Sequence, residues 1–136
     1  MKPLKEWEPK FYSHSKVPVW LSSIPIVPIS IYAISFGWGV WSRGELEVDK
    51  WKSKAGRESC AETRRHETIH FQQQIELLFV LQWILYGLFH LVGLVRYRNG
   101  EQAYRENPFE REAYGNDKDE DYLKNRKRYA WVRYIL

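Results

Sequence analysis

The chain has 136 residues, room for one ordinary domain and one site, with 21 Lys+Arg against 17 Asp+Glu and a net charge of +4. That modest, dispersed charge argues against a nucleic-acid partner, and the single Cys60 excludes an internal disulfide. Aromatic residues make up 16%, many beside Lys or Arg at the edges of apolar runs, a placement that suits a lipid interface and makes a bilayer the first partner to test.

The start, MKPLKEWEPKFYSHSK, mixes both charges with aromatics and lacks the basic-then-apolar layout of a signal peptide. The first apolar segment, 17–41, is long enough by count to cross a bilayer. However, Pro18, Pro25 and Pro28 would each cost a helix interior about 3 kcal/mol. From Ile29 the apolar side chains then alternate through Ile31, Ile34, Phe36, Trp38 and Val40. Period two with branched and aromatic residues predicts a strand, and Leu46, Val48 and Trp51 a second one after a turn at Arg43-Gly44. A small N-terminal β-hairpin is therefore expected in preference to a span.

Ser59 with Glu62 three residues later has the form of a capping box, and Gly87 and Gly93 are the only mild breakers between Cys60 and Val95. A long helix is expected, polar or amphipathic over 60–76 and apolar on every side over 77–95, where Arg96 and Arg98 bound it. A helix apolar all round is a membrane segment or the centre of a large core, and this chain is too short for the second. Residues 77–95 are thus expected to be membrane-embedded, with a shared oligomer interface as the alternative. Asn99-Gly100 predicts a turn, and Asn107-Pro108 the start of a helix PFEREAY before the polar stretch GNDKDED. The basic and aromatic residues from Lys124 to Leu136 predict an interfacial helix.

Between Arg64 and Gln74 the sequence reads RRHETIHFQQQ. On a helix His66 and His70 lie about 40° apart on one face, one turn above the other, which lets two imidazoles hold one Zn²⁺. Glu67 is rotated by about 100°, placed to take a proton from a metal-bound water as general base. The bland alternative is a solvated helix end whose histidines are satisfied polar groups, with Arg64 and Arg65 facing phospholipid. A di-iron centre would need a second E-x-x-H motif, and the sequence has none. A third ligand six residues after His70, at Glu76, would need a helix-breaking glycine at 73 where Gln73 stands. On an unbroken helix Glu76 lies about 9 Å along the axis from His70. The third ligand must come from a separate helix, and 107–114 is the evident donor. Gln73 falls on the histidine face and can hydrogen-bond there.

The HExxH of residues 66–70, followed by Glu110-Arg111-Glu112-Ala113, resembles the gluzincin-type zinc peptidases, in which a later helix brings a glutamate within an E-x-x-A-D or E-x-x-S-D pattern. HETIHFQQQ is also similar to the HExxHxxQQ of some small bacterial members. The stretch 65–130 resembles uncharacterised bacterial membrane-associated proteins with HExxH followed by FEREAY. The resemblance implies a zincin-like α+β fold, mainly helical, and a metallopeptidase with His66, His70 and Glu110 on Zn²⁺ and Glu67 as base. It also implies peptide or protein substrates, which the sheet edge beside the metal would bind as an extended strand. Tyr114 departs from the pattern, because an aspartate usually stands there to support a zinc-bound histidine; Asn107, Asn116 and Asp117 are the available substitutes. Glu112 as the ligand, or Glu110 as a mere helix cap, remain open alternatives. So does a non-catalytic membrane scaffold that keeps the fold.

Overall fold

The computed structural model describes residues 8–18, 33–36 and 39–135. Most of the apolar segment 17–41, including Pro25 and Pro28, lies outside the described residues. Three short strands, β1 (Lys10–Tyr12), β2 (Ala33–Phe36) and β3 (Gly39–Ser42), form a sheet in the order β1-β3-β2. β3 runs parallel to β1 and antiparallel to β2, with Ser35 opposite Val40.

The expected hairpin exists, but one turn earlier. Its strands are β2 and β3, paired with Phe36 opposite Gly39, and the expected second strand at 46–51 holds a 3-10 turn, Val48–Lys50. Two contacts explain the shift. The Trp41 ring lies over Gly39 so closely that a Cβ there would sit 2.6 Å from it and would have to push the ring aside. Past Ser42, the Leu46 amide donates to Ser13 Oγ at 2.8 Å and the His14 amide to the Gly44 carbonyl at 3.0 Å, drawing 44–46 towards the end of β1.

Helix α1 (Lys54–Glu76) begins at Ser53, whose Oγ accepts from the Gly56 amide at 3.0 Å. Ser59 is interior to the helix and is not its cap. The long unbroken helix expected over 60–95 is also corrected: α1 stops at Glu76, and α2 (Val80–Tyr97) starts after a tight turn. Leu78 and Phe79 both have positive φ, 55° and 61°, and the Val80 amide closes onto the Leu78 carbonyl at 2.6 Å as a γ-turn. No glycine or proline marks this break. Packing enforces it, because Leu77 is buried with Phe109 and Trp131 in the hydrophobic core, against which Leu85, Tyr86 and Phe89 pack. Such backbone costs about 1–3 kcal/mol per strained residue and persists only where its surroundings over-determine it.

After the left-handed cap at Arg98, Asn99 caps a helix the sequence does not announce, α3 (Gly100–Arg105), by accepting from the Gln102 amide at 3.0 Å. α3 turns back along α2, and Gly93 meets Ala103 so closely that a Cβ would lie 2.9 Å from the Ala103 Cβ. Helix α4 (Pro108–Asn116) follows, with Asn107 as cap and proline in the first turn as expected. In place of a C-terminal interfacial helix there is a single turn, α5 (Tyr122–Asn125), and a 3-10 turn, Ala130–Tyr134, whose Trp131 ring packs 4.6 Å from that of Phe109. Among the described residues the architecture is mainly helical with one small sheet, and the core sits at the start of α4, where Phe109 is buried.

Candidate metal centre

α1 presents His66 and His70 one above the other, both 7% exposed, so the solvated-histidine alternative falls. Arg64 and Arg65 do not face outward either. Arg64 donates to the Leu46 carbonyl at 2.7 Å and covers the Phe11 ring, while Arg65 donates to the Asp117 carbonyl. α4 brings Glu110 between the two imidazoles, its Oε1 lying 3.3 Å from His66 Nε2 and 2.9 Å from His70 Nε2. One donor atom from each of the three residues lies within 4.8 Å of the others, a buried group able to hold a metal ion.

The other ring nitrogens fix the tautomers. His66 Nδ1 lies 3.0 Å from Oδ2 of Asp117, a carboxylate that can only accept, so Nδ1 carries the proton. His70 Nδ1 lies 2.8 Å from Gln73 Oε1, and the Gln73 amide nitrogen donates to the Phe109 carbonyl and to Glu112 Oε1 at 3.1 and 3.0 Å. Both Nε2 atoms therefore turn lone pairs towards the same carboxylate oxygen, an arrangement stable only with protons or a cation between them. Protons do this in the metal-free protein. Burial pulls His66 down, but hydrogen bonds to Asp117 and Glu110 more than reverse it and hold its pKa well above the usual histidine range. His70 is likewise pulled down by burial and raised on balance by Glu110. Burial would raise Glu110, yet the His70 charge and hydrogen bonds from both imidazoles hold it far below the usual carboxylate range.

Glu110 is no mere cap. Its Oε2 accepts from the Tyr86 hydroxyl at 2.7 Å, so α2 orients the third donor. Glu112 is not brought to the histidines. Fully buried, it accepts from Arg126 Nε at 2.5 Å and Nη2 at 3.1 Å and from the Tyr122 hydroxyl at 2.6 Å, and Arg126 also grips both oxygens of Glu76 at 3.0 Å. Of the three substitutes for an aspartate at Tyr114, Asp117 reaches a histidine; Asn107 donates to the Tyr86 carbonyl, and Asn116 to the Glu112 carbonyl and the Tyr134 hydroxyl. The Tyr114 ring packs edge-on to His66 at 4.5 Å. Tyr86 and Arg126 are the site's unannounced contributors. Nothing local in the sequence distinguishes either from its aromatic or basic neighbours.

Glu67 is buried beside the histidines and accepts from the Ser35 backbone amide. Burial raises its pKa above the ordinary carboxylate value, against the opposing pull of His66 and His70. Gln74 donates to the Ser35 carbonyl at 2.7 Å, so at Ser35 the outer edge of β2 is already engaged by α1. An extended peptide cannot pair there without displacing those side chains, which corrects the expectation of an open strand edge at that residue. Compared with known protein families, with curated proteins and with solved structures, the chain matches none.

Proposed function

We propose that the protein is a zinc-dependent, zincin-like hydrolase that cleaves peptide bonds close to a membrane surface. The observation that carries this reading is the pair of tied-off Nδ1 atoms, which aims both His66 and His70 Nε2 at Glu110. Two imidazoles and one carboxylate are the donor set of a catalytic zinc site, with a fourth position left for water or substrate. Zinc held there supplies Lewis-acid polarisation of the carbonyl and a water of lowered pKa. The rest belongs to the chain. Asp117 and Gln73 hold the imidazoles in the required tautomer, and Tyr86 holds the Glu110 carboxylate. Glu67, its pKa raised towards working pH, takes the proton of the attacking water and returns it to the leaving amine. A paired histidine helix and a carboxylate brought to it by a later helix support the zincin-like assignment. Val80–Tyr97 is long and apolar enough to cross a membrane while only 11% of it is buried, which supports lipid contact.

Elemental analysis of protein purified without chelators tests the first half: close to one zinc per chain is expected, collapsing in His66→Ala and His70→Ala. Glu67→Gln tests the second, since it should keep the metal and lose hydrolysis of an unstructured protein substrate. Equal hydrolysis in wild type and Glu67→Gln would leave a metal-binding scaffold in place of an enzyme.

A further inference from the structure

We infer that α2 does not cross the bilayer but lies in the plane of an anionic lipid surface, with the metal centre on its far side. The inference rests on the membrane contact of the proposed function and is independent of its metal chemistry. At about 100° per residue, Leu81, Ile84, Leu88, Leu91, Val92 and Val95 fall within an arc of about 100°. All six are 47% to 73% exposed. The arc centred about 140° away carries Gln82, Tyr86, Phe89 and Gly93. This second face belongs to the protein. Tyr86 donates to Glu110, Phe89 packs on Phe109, and Gly93 abuts Ala103.

An upright helix is incompatible with that packing. From Gly100 to Glu110 the chain runs back beside α2, with Ala103 at Gly93 and both Asn107 and Glu110 at Tyr86. This returning segment carries Glu101 and Arg105, whose side chains are 70% and 60% exposed, and the exposed Glu106. If α2 stood across the membrane, Glu106 and the exposed Glu101–Arg105 pair would enter the hydrocarbon beside it, which bilayers strongly disfavour. Lying flat, α2 sinks only its aliphatic arc, about 5–10 Å deep, and the returning segment stays in water.

Charge selects the occupant. Exposed Arg96 and Arg98 close the helix directly after Val95 of the arc, basic groups suited to anionic headgroups. Among the described residues no element covers the arc. Since Tyr86 sits on the opposite side, the metal centre is held about one helix diameter, roughly 10 Å, from the lipid. Its substrates are then segments emerging from the bilayer, not bonds within it.

The test uses the full chain in sealed right-side-out and inverted membrane vesicles from expressing cells. In a Cys60→Ser background, Lys54→Cys and Glu101→Cys, one on each side of α2 in sequence, are probed with a membrane-impermeant maleimide. Labelling of both from the same side is expected, together with at least a tenfold loss of partition onto phosphatidylglycerol-containing vesicles in Leu88→Glu that keeps its helical circular dichroism. Labelling from opposite sides overturns the in-plane arrangement while leaving membrane contact intact. A chain that never sediments with membranes, or that buries the arc in a soluble dimer, overturns both. Should Leu88→Glu not fold, the labelling pair decides alone.

Discussion

Helix α4 holds both ring nitrogens of His66, Asp117 lying 3.0 Å from Nδ1 at the end of the helix and Glu110 3.3 Å from Nε2 in its first turn. One rigid element thus fixes the imidazole's tautomer and supplies its neighbouring donor, so the two cannot drift apart independently. Asp117→Ala frees Nδ1 to lose its proton and lets the ring rotate, and metal affinity should fall by about 10- to 100-fold. Competition against a chromophoric chelator measures this. An unchanged affinity would mean that the Asp117 contact does nothing for the metal.

Glu110 and Glu112 stand two residues apart on one helix and point to different tasks, which makes them separable. Glu110→Gln should lose metal and keep the fold, because Gln still accepts from Tyr86 while losing the charge that balances a cation. Glu112→Gln should keep the metal and lose stability, because Arg126, 2% exposed at its side chain, would retain only Glu76 as a carboxylate partner. A cost of about 2–4 kcal/mol is expected for weakening a buried, hydrogen-bonded ion pair. Metal content and thermal melts of the two variants decide it. The opposite pattern would exchange their roles.

The histidine pair was legible in the sequence because four-residue spacing on a helix is a local fact, whereas Glu110 was singled out by the resemblance of Glu110-Arg111-Glu112-Ala113 to the gluzincin pattern, since its place in the first turn after Asn107-Pro108 equally suits a helix cap. The break at Leu77–Phe79 was not legible. Its cause is the burial of Leu77 against Phe109 and Trp131, residues 32 and 54 positions further on, and the segment itself reads as good helix former. The same applies to Arg126, which in sequence belongs to a basic, aromatic tail and in space closes a buried cluster with Glu76 and Glu112. Ser53 and Ser59 show the limit of cap signals: both precede helical sequence, and the helix simply starts at the earlier one.

Acidity should act on the metal-free and metal-loaded protein in opposite senses. His66 and His70 are raised above the ordinary value of 6.5, so the stability they confer is complete below that value and lost as pH rises through their folded pKa. Glu110 is lowered from 4.5, so its contribution is present above that value and lost as pH falls through its folded pKa. Metal-free protein should therefore lose stability over the interval that begins near the ordinary histidine value of 6.5 and extends upward through the raised pKa of the two imidazoles. Metal displaces those protons, so its affinity and the gap between loaded and metal-free melting temperatures should widen over the same interval. Melts of chelator-treated and zinc-loaded samples across that range check both signs. A gap that narrows with rising pH would show that the imidazoles are not the ligands.

Leu78 combines a φ of 55° with 80% exposure, so its side chain contributes almost no protein packing while its Cβ strains the backbone. Leu78→Gly should relieve that strain. The substitution raises the entropy of the unfolded chain, which costs about 1 kcal/mol, but removes a left-handed penalty of about 1–2 kcal/mol, for a net change between zero and about 1 kcal/mol of stabilisation. Leu77→Gly, three atoms away along the backbone, should instead destabilise by several kcal/mol, because Leu77 is only 8% exposed and fills the core with Phe109 and Trp131. Denaturant unfolding of the two variants in the same mild detergent separates strain from packing. If Leu78→Gly destabilises as strongly as Leu77→Gly, α1 and α2 are one continuous helix in solution, and the turn that returns Tyr86 to Glu110 does not form.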